Sequence, residues 1–432
     1  MILIIGAGIS GLSLAYHLQK QNKAYMLLEA SDRVGGYIRS LREGDYLFEL
    51  GPNSLLCDAE LEALIKELGI EERVIEANAV SKKRYIYRDG RYRQLPSSPP
   101  GLFFNSFFSW KAKKAILQEL RHKPQTAPAE ETLAAFFERH FNKEIVDYAL
   151  APFVSGIYAG NVQKLLTSLT FPQLYQYEAT HGSVIKALIK NKSAARKKTI
   201  SFKNGLEILP RYFEKQLKSL YLNRPVQSIF KKGNKFIVSC SDGLVEADKL
   251  VLACPSGAAS QFLANAYHDF SALLKQIEYA PMAAVHSVYP KKAVGFALDG
   301  FGALHPPVEG LFSLGSVWNS SVFQYRCKNE EVLFTTFVGG ALGKEKLKLP
   351  DSQVLAKVQQ ELKQLYHIEA PPLKQRIFRW EQAIPQYTQS LLPVVAAAKT
   401  LEQEQLFVCA NWLGGVSLPD CIRKGKLLAD VL

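Results

Sequence analysis

"MILIIGAGISGLSLAYHLQKQNKAYMLLEA", residues 1–30, decides the fold. "ILIIGAG" is a short, continuous apolar run ending in glycines, the pattern of a parallel strand buried on both faces. "ISGLSLAYHLQKQNK" follows with Ile9, Leu12, Leu14, Ala15 and Leu18 apolar at roughly helical spacing, and "AYMLLEA" is a second apolar strand. The three segments make one βαβ unit at the start of the chain, the beginning of an α/β fold.

Gly6, Gly8 and Gly11 form G-x-G-x-x-G between the first strand and the helix, and Glu29 ends the second strand. Glycines allow a tight turn and close approach of backbone to a pyrophosphate, which the helix N-terminus attracts through its free N–H groups. Glu29 can accept hydrogen bonds from ribose hydroxyls and would repel a 2′-phosphate, which argues against NADP. Strand, helix and acidic residue together make a dinucleotide site the reading of this segment. The next residues, "EASDRVGGYIRS", add a second Gly-Gly turn at Gly35-Gly36 and a cation at Arg39.

The chain has 432 residues, enough for two or three domains, and its 47% hydrophobic and 22% charged content is that of a globular protein with a sizeable core. Six scattered cysteines, none in C-x-x-C, predict reduced thiols and a cytoplasmic setting. The N-terminus has no basic region before its apolar run, so it is not read as a signal peptide, and no stretch has the ~18 apolar residues of a spanning helix. The net charge of +13 invites nucleic acid, an anionic membrane or acidic small ligands as partners. Its basic residues form no recognition element, so no nucleic acid is expected.

From about Ser81 the texture changes. "KRYIYRDGRYRQLP" predicts a hairpin around Asp89-Gly90. "KAKKAILQELRHK", "AEETLAAFFERHF" and "KEIVDYALAPFVSGIYAG" predict helices, and "KNKSAARKKTI" (190–200) a basic, solvated loop. "RPVQSIF", "FIVSCS" and "LVEADKLVLACP" predict a β-meander. Strand-like runs continue to "EVLFTTFVGG", then "DSQVLAKVQQELKQLYHI" predicts an amphipathic helix and "LFVCAN" a final buried strand. There is no H-E-x-x-H, no G-x-S-x-G and no His/Cys set with metal spacing, so no metal is expected.

The run from Glu29 to Ser40 resembles the flavin amine oxidase superfamily. "LFELGPNSLL" (47–56), "APFVSGIYAGNVQKL" (151–165), "FGALHP" (301–306), "TTFVGG" (335–340), "WEQAIPQYT" (380–388) and "NWLGGVSLPDCI" (411–422) resemble, in order, segments of the oxygen-dependent, FAD-containing porphyrinogen oxidases of haem biosynthesis. The resemblance implies a discontinuous Rossmann-like FAD-binding domain (1–80, 200–268 and 400–432). It also implies a substrate domain on an antiparallel sheet (81–94 and 269–399) and a helical, membrane-associating insertion (95–199). The implied reaction is six-electron oxidation of protoporphyrinogen IX to protoporphyrin IX, with O2 reduced to H2O2 and the product handed to a ferrochelatase. Coproporphyrinogen III is the alternative substrate. Another flavin amine oxidase-type enzyme and a non-catalytic porphyrin-binding flavoprotein are more distant readings.

The same resemblance assigns residues. FAD would be held by Gly6, Ala7, Gly8, Ile9, Ser10, Gly11, Glu29, Ala30, Gly36, Tyr37 and Arg39, by Gly51, Pro52, Asn53 and Ser54, and by Val226, Trp380, Val416, Ser417 and Leu418. Arg84 would pair with a substrate propionate, Leu304 and Phe323 would sandwich the macrocycle, and Gly156 and Gly160 would line a loop close to the ring. The flavin itself performs the hydride abstraction, so no side-chain base is assigned. His17, His181 and His305 read as neutral structural residues. Arg88, Arg91 and Arg93 share Arg84's candidate rim. "LFFNSFFSW" with Lys111, Lys113 and Lys114 can lie at a bilayer interface, making peripheral membrane contact. Ser417 and Asp420 form a capping box with Pro419 in the first turn, starting a closing helix with Ile422, Ala429 and Leu432 on its apolar face.

Overall fold

In the computed structural model, residues 1–96, 101, 104–126, 128, 130–190 and 197–432 are described. The opening unit forms as its pattern dictates: β1 (Ile2–Ile5), α1 (Ile9–Lys20) and β2 (Tyr25–Leu28). Later segments complete a five-stranded, all-parallel sheet. These are β3 (Leu220–Tyr221), β4 (Lys249–Leu252) and β5 (Leu406–Val408), in the order β3-β2-β1-β4-β5. α2 (Leu418–Val431) closes the chain and packs on α1, where Ser13 Oγ donates to the Ile422 carbonyl at 2.8 Å. A Cβ on Gly425 would come within 2.7 Å of the Leu14 nitrogen, so a glycine here sets how closely the two helices approach.

The meander is shorter than its alternation suggests. Val226–Lys232, Lys235–Cys240 and Gly243–Ala247 pair antiparallel, but "KLVL" leaves them as β4 and joins β1. The alternation runs through Asp248 without a break, so the pattern cannot show the change of partner.

A second sheet of seven strands lies in the order Lys374–Pro385, Tyr279–Pro290, Glu331–Gly339, Gly315–Trp318, Gly302–Leu304, Tyr85–Arg88, Arg91–Gln94. All its pairs are antiparallel except Gly302–Leu304 with Tyr85–Arg88. The hairpin turns at Asp89 and Gly90, both at positive φ, as a two-residue primed turn requires. One face of the sheet packs on the amphipathic helix Asp351–Tyr366 through Val354, Val358, Leu362 and Tyr366. Between Trp110 and Lys190 the described chain is helical, with Trp110–Glu119, Leu133–His140, Ala151–Tyr158, Pro172–His181 and Val184–Lys190 its longer helices. The ends of the expected basic loop are not loop: Lys190 closes the helix Val184–Lys190 and Lys198 opens the strand Lys198–Phe202, while residues 191–196 lie outside the described residues, as do Leu102 and Phe103 of the aromatic run.

Candidate functional site

The three glycines of the first turn are required for three different reasons. Gly6 has φ +107°, and a Cβ there would lie 2.8 Å from the Ala253 carbonyl oxygen. A Cβ on Gly11 would sit 2.0 Å from the Gly6 carbonyl oxygen, so α1 can start this close to β1 only without one. Gly8 has an ordinary φ of −67°, and a Cβ on it would meet no protein atom within 4 Å. Nothing in the polypeptide demands a glycine at Gly8; the open space beside it, at the start of α1, leaves room for an anion against the backbone. This cradle is what a pyrophosphate would fill.

The second glycine turn is locked to the first. Gly35 N donates to the Ala7 carbonyl at 2.8 Å, Gly8 and Gly35 form a parallel bridge, and a Cβ on Gly36 would contact Gly8 Cα at 3.4 Å. Arg33 braces this turn, donating to the carbonyls of Gly36 at 2.8 Å and Val34 at 3.2 Å. Glu29, just before Ala30, accepts from Ala7 N at 2.8 Å with one oxygen and from Ser31 N and Oγ with the other. It is therefore held against the glycine loop before any ribose arrives. Asn223 and Arg224 donate backbone bonds to the Ser31 and Glu29 carbonyls, which brings Val226 alongside.

Tyr37, Arg39, Gly51 and Trp380 converge next. The Trp380 indole donates to the Leu50 carbonyl at 2.7 Å, its ring lies 5.1 Å from that of Tyr37, and the Tyr37 hydroxyl donates to the Gln382 carbonyl. A Cβ on Gly51 would overlap the Tyr37 carbonyl oxygen at 2.0 Å, so Pro52, Asn53 and Ser54 follow a forced close crossing. Arg39 stands over the Phe378 ring at 5.5 Å. Asn53 is tied inward, accepting from Asn319 Nδ2 at 2.9 Å.

The chain end completes this side. Ser417 caps α2 by accepting from Asp420 N, with Val416 and Leu418 on either side of it. Gly414 and Gly415 both have positive φ, and a Cβ on Gly415 would run into the Asp420 side chain at 2.8 Å. The glycine pair is thus needed for the turn and for the capping box. Sequence reasoning missed Tyr387, whose hydroxyl accepts from Gly415 N and donates to the Asn411 carbonyl, each at 2.8 Å. It also missed Lys424, whose ammonium reaches the carbonyls of Ala410, Leu413 and Gly415.

On the second sheet, directly opposed residues share a face. The register aligns Leu304, Gly315, Phe337, Ala284 and Phe378 in one row, with Gly339, Met282 and Trp380 in the next row on that face. Leu304 and Phe337 are two strand spacings apart, ~9–10 Å, and Gly315 puts no side chain between them. Gly156 faces this row; a Cβ on it would lie 3.2 Å from Leu304 Cδ2. Phe323, expected opposite Leu304, is elsewhere. It is only 2% exposed and covered by the Arg326 guanidinium at 5.2 Å, so it offers no surface to a ligand. A short helix, Asn319–Val322, carries it off the sheet. Phe337 is the aromatic residue that the register sets in the row of Leu304. Its signal was the "TTFVGG" motif, legible as a strand but not as the partner of Leu304. At Gly160 a Cβ would meet Leu165 at 2.6 Å and Gln386 Oε1 at 2.8 Å, so packing alone already calls for a glycine there.

Arg84 stacks on the Phe301 ring at 4.5 Å and has no carboxylate partner among the described residues. The protein around it lowers its pKa by desolvation, although the side chain still reaches solvent. Its neighbours are committed. Arg88 pairs with Glu144 at 2.9 Å and stacks on Tyr148 at 4.1 Å, and Arg93 pairs with Asp89 at 2.8 Å. Arg91 lies exposed on the hairpin.

His305 is buried beneath this site. Its Nε2 meets the Tyr92 hydroxyl at 2.9 Å and its Nδ1 meets Ser313 Oγ at 3.0 Å, and burial lowers its pKa. Burial also lowers the pKa of His17, while His181 bonds its neighbour Thr180.

The chain matches the model of the flavin containing amine oxidoreductases over residues 9–432, and it belongs to that family. It is an FAD-dependent oxidoreductase, and the cradle at Gly8 fits the cofactor. Protoporphyrinogen oxidase 2 of Arabidopsis thaliana is 30% identical over 100% of this chain and 93% of its own length. Coproporphyrinogen III oxidase of Bacillus subtilis is 26% identical over 98% of this chain and 96% of its own. A crystal structure of a provisionally named protoporphyrinogen oxidase from Exiguobacterium superposes with a TM-score of 0.83 at 21% identity, covering 100% of this chain and 98% of that one.

Proposed function

We propose that this protein oxidises a porphyrinogen to the porphyrin, with protoporphyrinogen IX the preferred substrate and O2 the acceptor. Relatives named for this reaction align along nearly their whole length. The observation that carries the reading is Arg84, a guanidinium stacked on Phe301 with no carboxylate partner among the described residues, two residues before Ile86, which pairs with Leu304 at the end of a row in which Leu304 and Phe337 flank a bare Gly315. A flat, apolar ring with carboxylate arms has that shape and charge. Three rounds of two-electron oxidation remove six electrons and six protons and convert three O2 to three H2O2.

Bound FAD supplies the two-electron chemistry. The polypeptide's part is placement. Glu29 and the start of α1 fix the dinucleotide, and Trp380, held by Leu50, shares a sheet face with Phe337 and Leu304. The substrate row therefore lies beside the flavin-binding strand. Arg84 fixes a propionate, and Gly156 keeps its helix from filling the space over Leu304.

With Arg88 and Arg93 consumed by ion pairs, Arg84 is the cation best placed for a propionate, which favours the dicarboxylate over the more acidic coproporphyrinogen III. The Bacillus relative supports the second substrate. Porphyrin fluorescence followed in air with each substrate decides between them through kcat/KM. Arg84→Met should lower kcat/KM for the better substrate roughly 10- to 100-fold, mainly through KM, the loss of about 1.5–3 kcal/mol expected for a charge-assisted bond. No fluorescence rise above autoxidation in the FAD-loaded wild type would sink the oxidase reading.

We further propose that the protein docks peripherally on an anionic membrane, from which the porphyrin passes to a metal-inserting enzyme. Among the described residues no helix is long and apolar enough to cross a bilayer. Phe104 (92% exposed), Trp110 (79%), Leu117, Leu188 and Ile189 project from the helical segment with Lys111 and Lys114 beside Trp110. Lys113 is not free for lipid, because it is buried and donates to the Asn105 carbonyl, and Phe107 and Phe108 are core residues.

A further inference from the structure

The helical segment holds a buried polar cluster that the oxidase reaction does not use. Glu119 and Glu178 are fully buried and His140 is 2% exposed. His140 Nδ1 lies 3.2 Å from Glu119 Oε1, and His140 Nε2 lies 3.2 Å from Glu178 Oε1. Ser183 Oγ donates to Glu119 Oε2 at 2.6 Å, and Arg139 pairs with both Glu178 and Glu131. The His122 ring stands 5.1 Å from that of His140, and its Nδ1 is buried with no hydrogen-bond partner among the described residues.

We infer that Glu119, His122 and His140 form a site for a divalent transition-metal ion of the zinc type. One ligand atom from each lies within 4.8 Å of the others. Two ligands each ~2.1 Å from a tetrahedral ion stand roughly 3.4 Å apart, close to the Glu119–His140 separation; His122 would move inward by about an ångström. The surroundings are those of a metal histidine. A hydrogen bond donated by the far nitrogen of His140 to Glu178 Oε1 would leave the near nitrogen free for the metal, while Ser183 orients the ligating carboxylate. Charge points the same way. Glu119, Glu131 and Glu178 against Arg139 leave a formal −2 around two imidazoles, which a divalent ion cancels. The sequence hides this set because its members come from the end of Trp110–Glu119, the turn after it, and the end of Leu133–His140. Its occupancy would clamp those helices to the start of Val184–Lys190, since Val184 N donates to Glu119.

Untagged, FAD-loaded protein stripped with EDTA and titrated calorimetrically with ZnCl2 should bind one ion per chain and gain thermal stability. His122→Ala should weaken binding at least tenfold and abolish that gain, while metal-free Tm and oxidase turnover stay at wild-type values. Absence of saturable binding, or unchanged affinity in His122→Ala, would overturn the site. If the variant does not fold, Co2+ added to the wild type decides. Weak visible bands of nitrogen- and oxygen-ligated cobalt support it, and thiolate charge-transfer bands or no bands refute it.

Discussion

At the residue scale, Gly8 and Gly11 belong to one motif yet answer to different forces. Gly8→Ala should leave the FAD-free protein within about 0.5 kcal/mol of wild type and sharply reduce FAD content, because the new methyl enters only the ligand's space. Gly11→Ala should destabilise the FAD-free protein itself, since its methyl falls on the Gly6 carbonyl. Urea unfolding and flavin absorbance of the two purified variants check the pair. His286 makes a second residue-scale prediction. It is fully buried against Phe48, and burial pushes its pKa down to about 3. The folded state thus disfavours the proton that the unfolded chain binds below its ordinary pKa near 6.5. The stabilising effect of the neutral ring is complete above pH 6.5 and is lost as pH falls toward 3, at up to about 1.4 kcal/mol per pH unit. His286→Met should flatten the stability–pH slope in that window, measured by urea titration from pH 7.5 to 4.5.

At the element scale, the closing helix shows how much of a motif's meaning depends on what it touches. The capping box Ser417–Asp420 is legible in the sequence because it is local, and it forms. The apolar face is only partly legible. Ile422 and Ala429 are buried as their spacing implies, while Leu432 is partly exposed and Cys421 and Gly425 carry much of the contact with α1. Gly425→Leu should therefore cost about 1–3 kcal/mol, as overpacking does, and reduce FAD affinity by shifting α2 from the glycine turn. Thermal melts with and without FAD test it; unchanged Tm and flavin content would show that the helices have room. The β-meander illustrates the opposite case. Lys249–Leu252 has the composition of its neighbours, and only the vacancy beside β1 in the parallel sheet makes it β4.

At the scale of the whole molecule, the two most exposed aromatic side chains among the described residues, Phe104 and Trp110, stand on the helical segment, with Lys111 and Lys114 close to Trp110 in the chain. Sedimentation with anionic liposomes at low salt should carry the wild type into the pellet. Replacing Phe104 and Trp110 with serine should release it, with turnover in detergent unchanged. A wild type that stays in the supernatant would dismiss membrane docking.

The opening βαβ unit, the hairpin at Asp89-Gly90, the Asp351–Tyr366 helix and the capping box at Ser417 were determined by the sequence alone, because their signals are apolar periodicity and turn or cap residues within a short run of chain. Tertiary structure alone decided that Arg88 is taken up by an ion pair while Arg84 has no carboxylate partner among the described residues. Arg84, Arg88 and Arg93 look alike in sequence, but Glu144, 56 residues from Arg88, removes one of them. It decided that Phe337, and not Phe323, shares a face with Leu304, since strand register is a long-range property. It also gathered Glu119, His122 and His140, whose common surroundings exist only once the helices have packed. Local geometry follows from local sequence; the pairing of buried charge and the sharing of a face follow from contacts between segments that the chain order keeps apart.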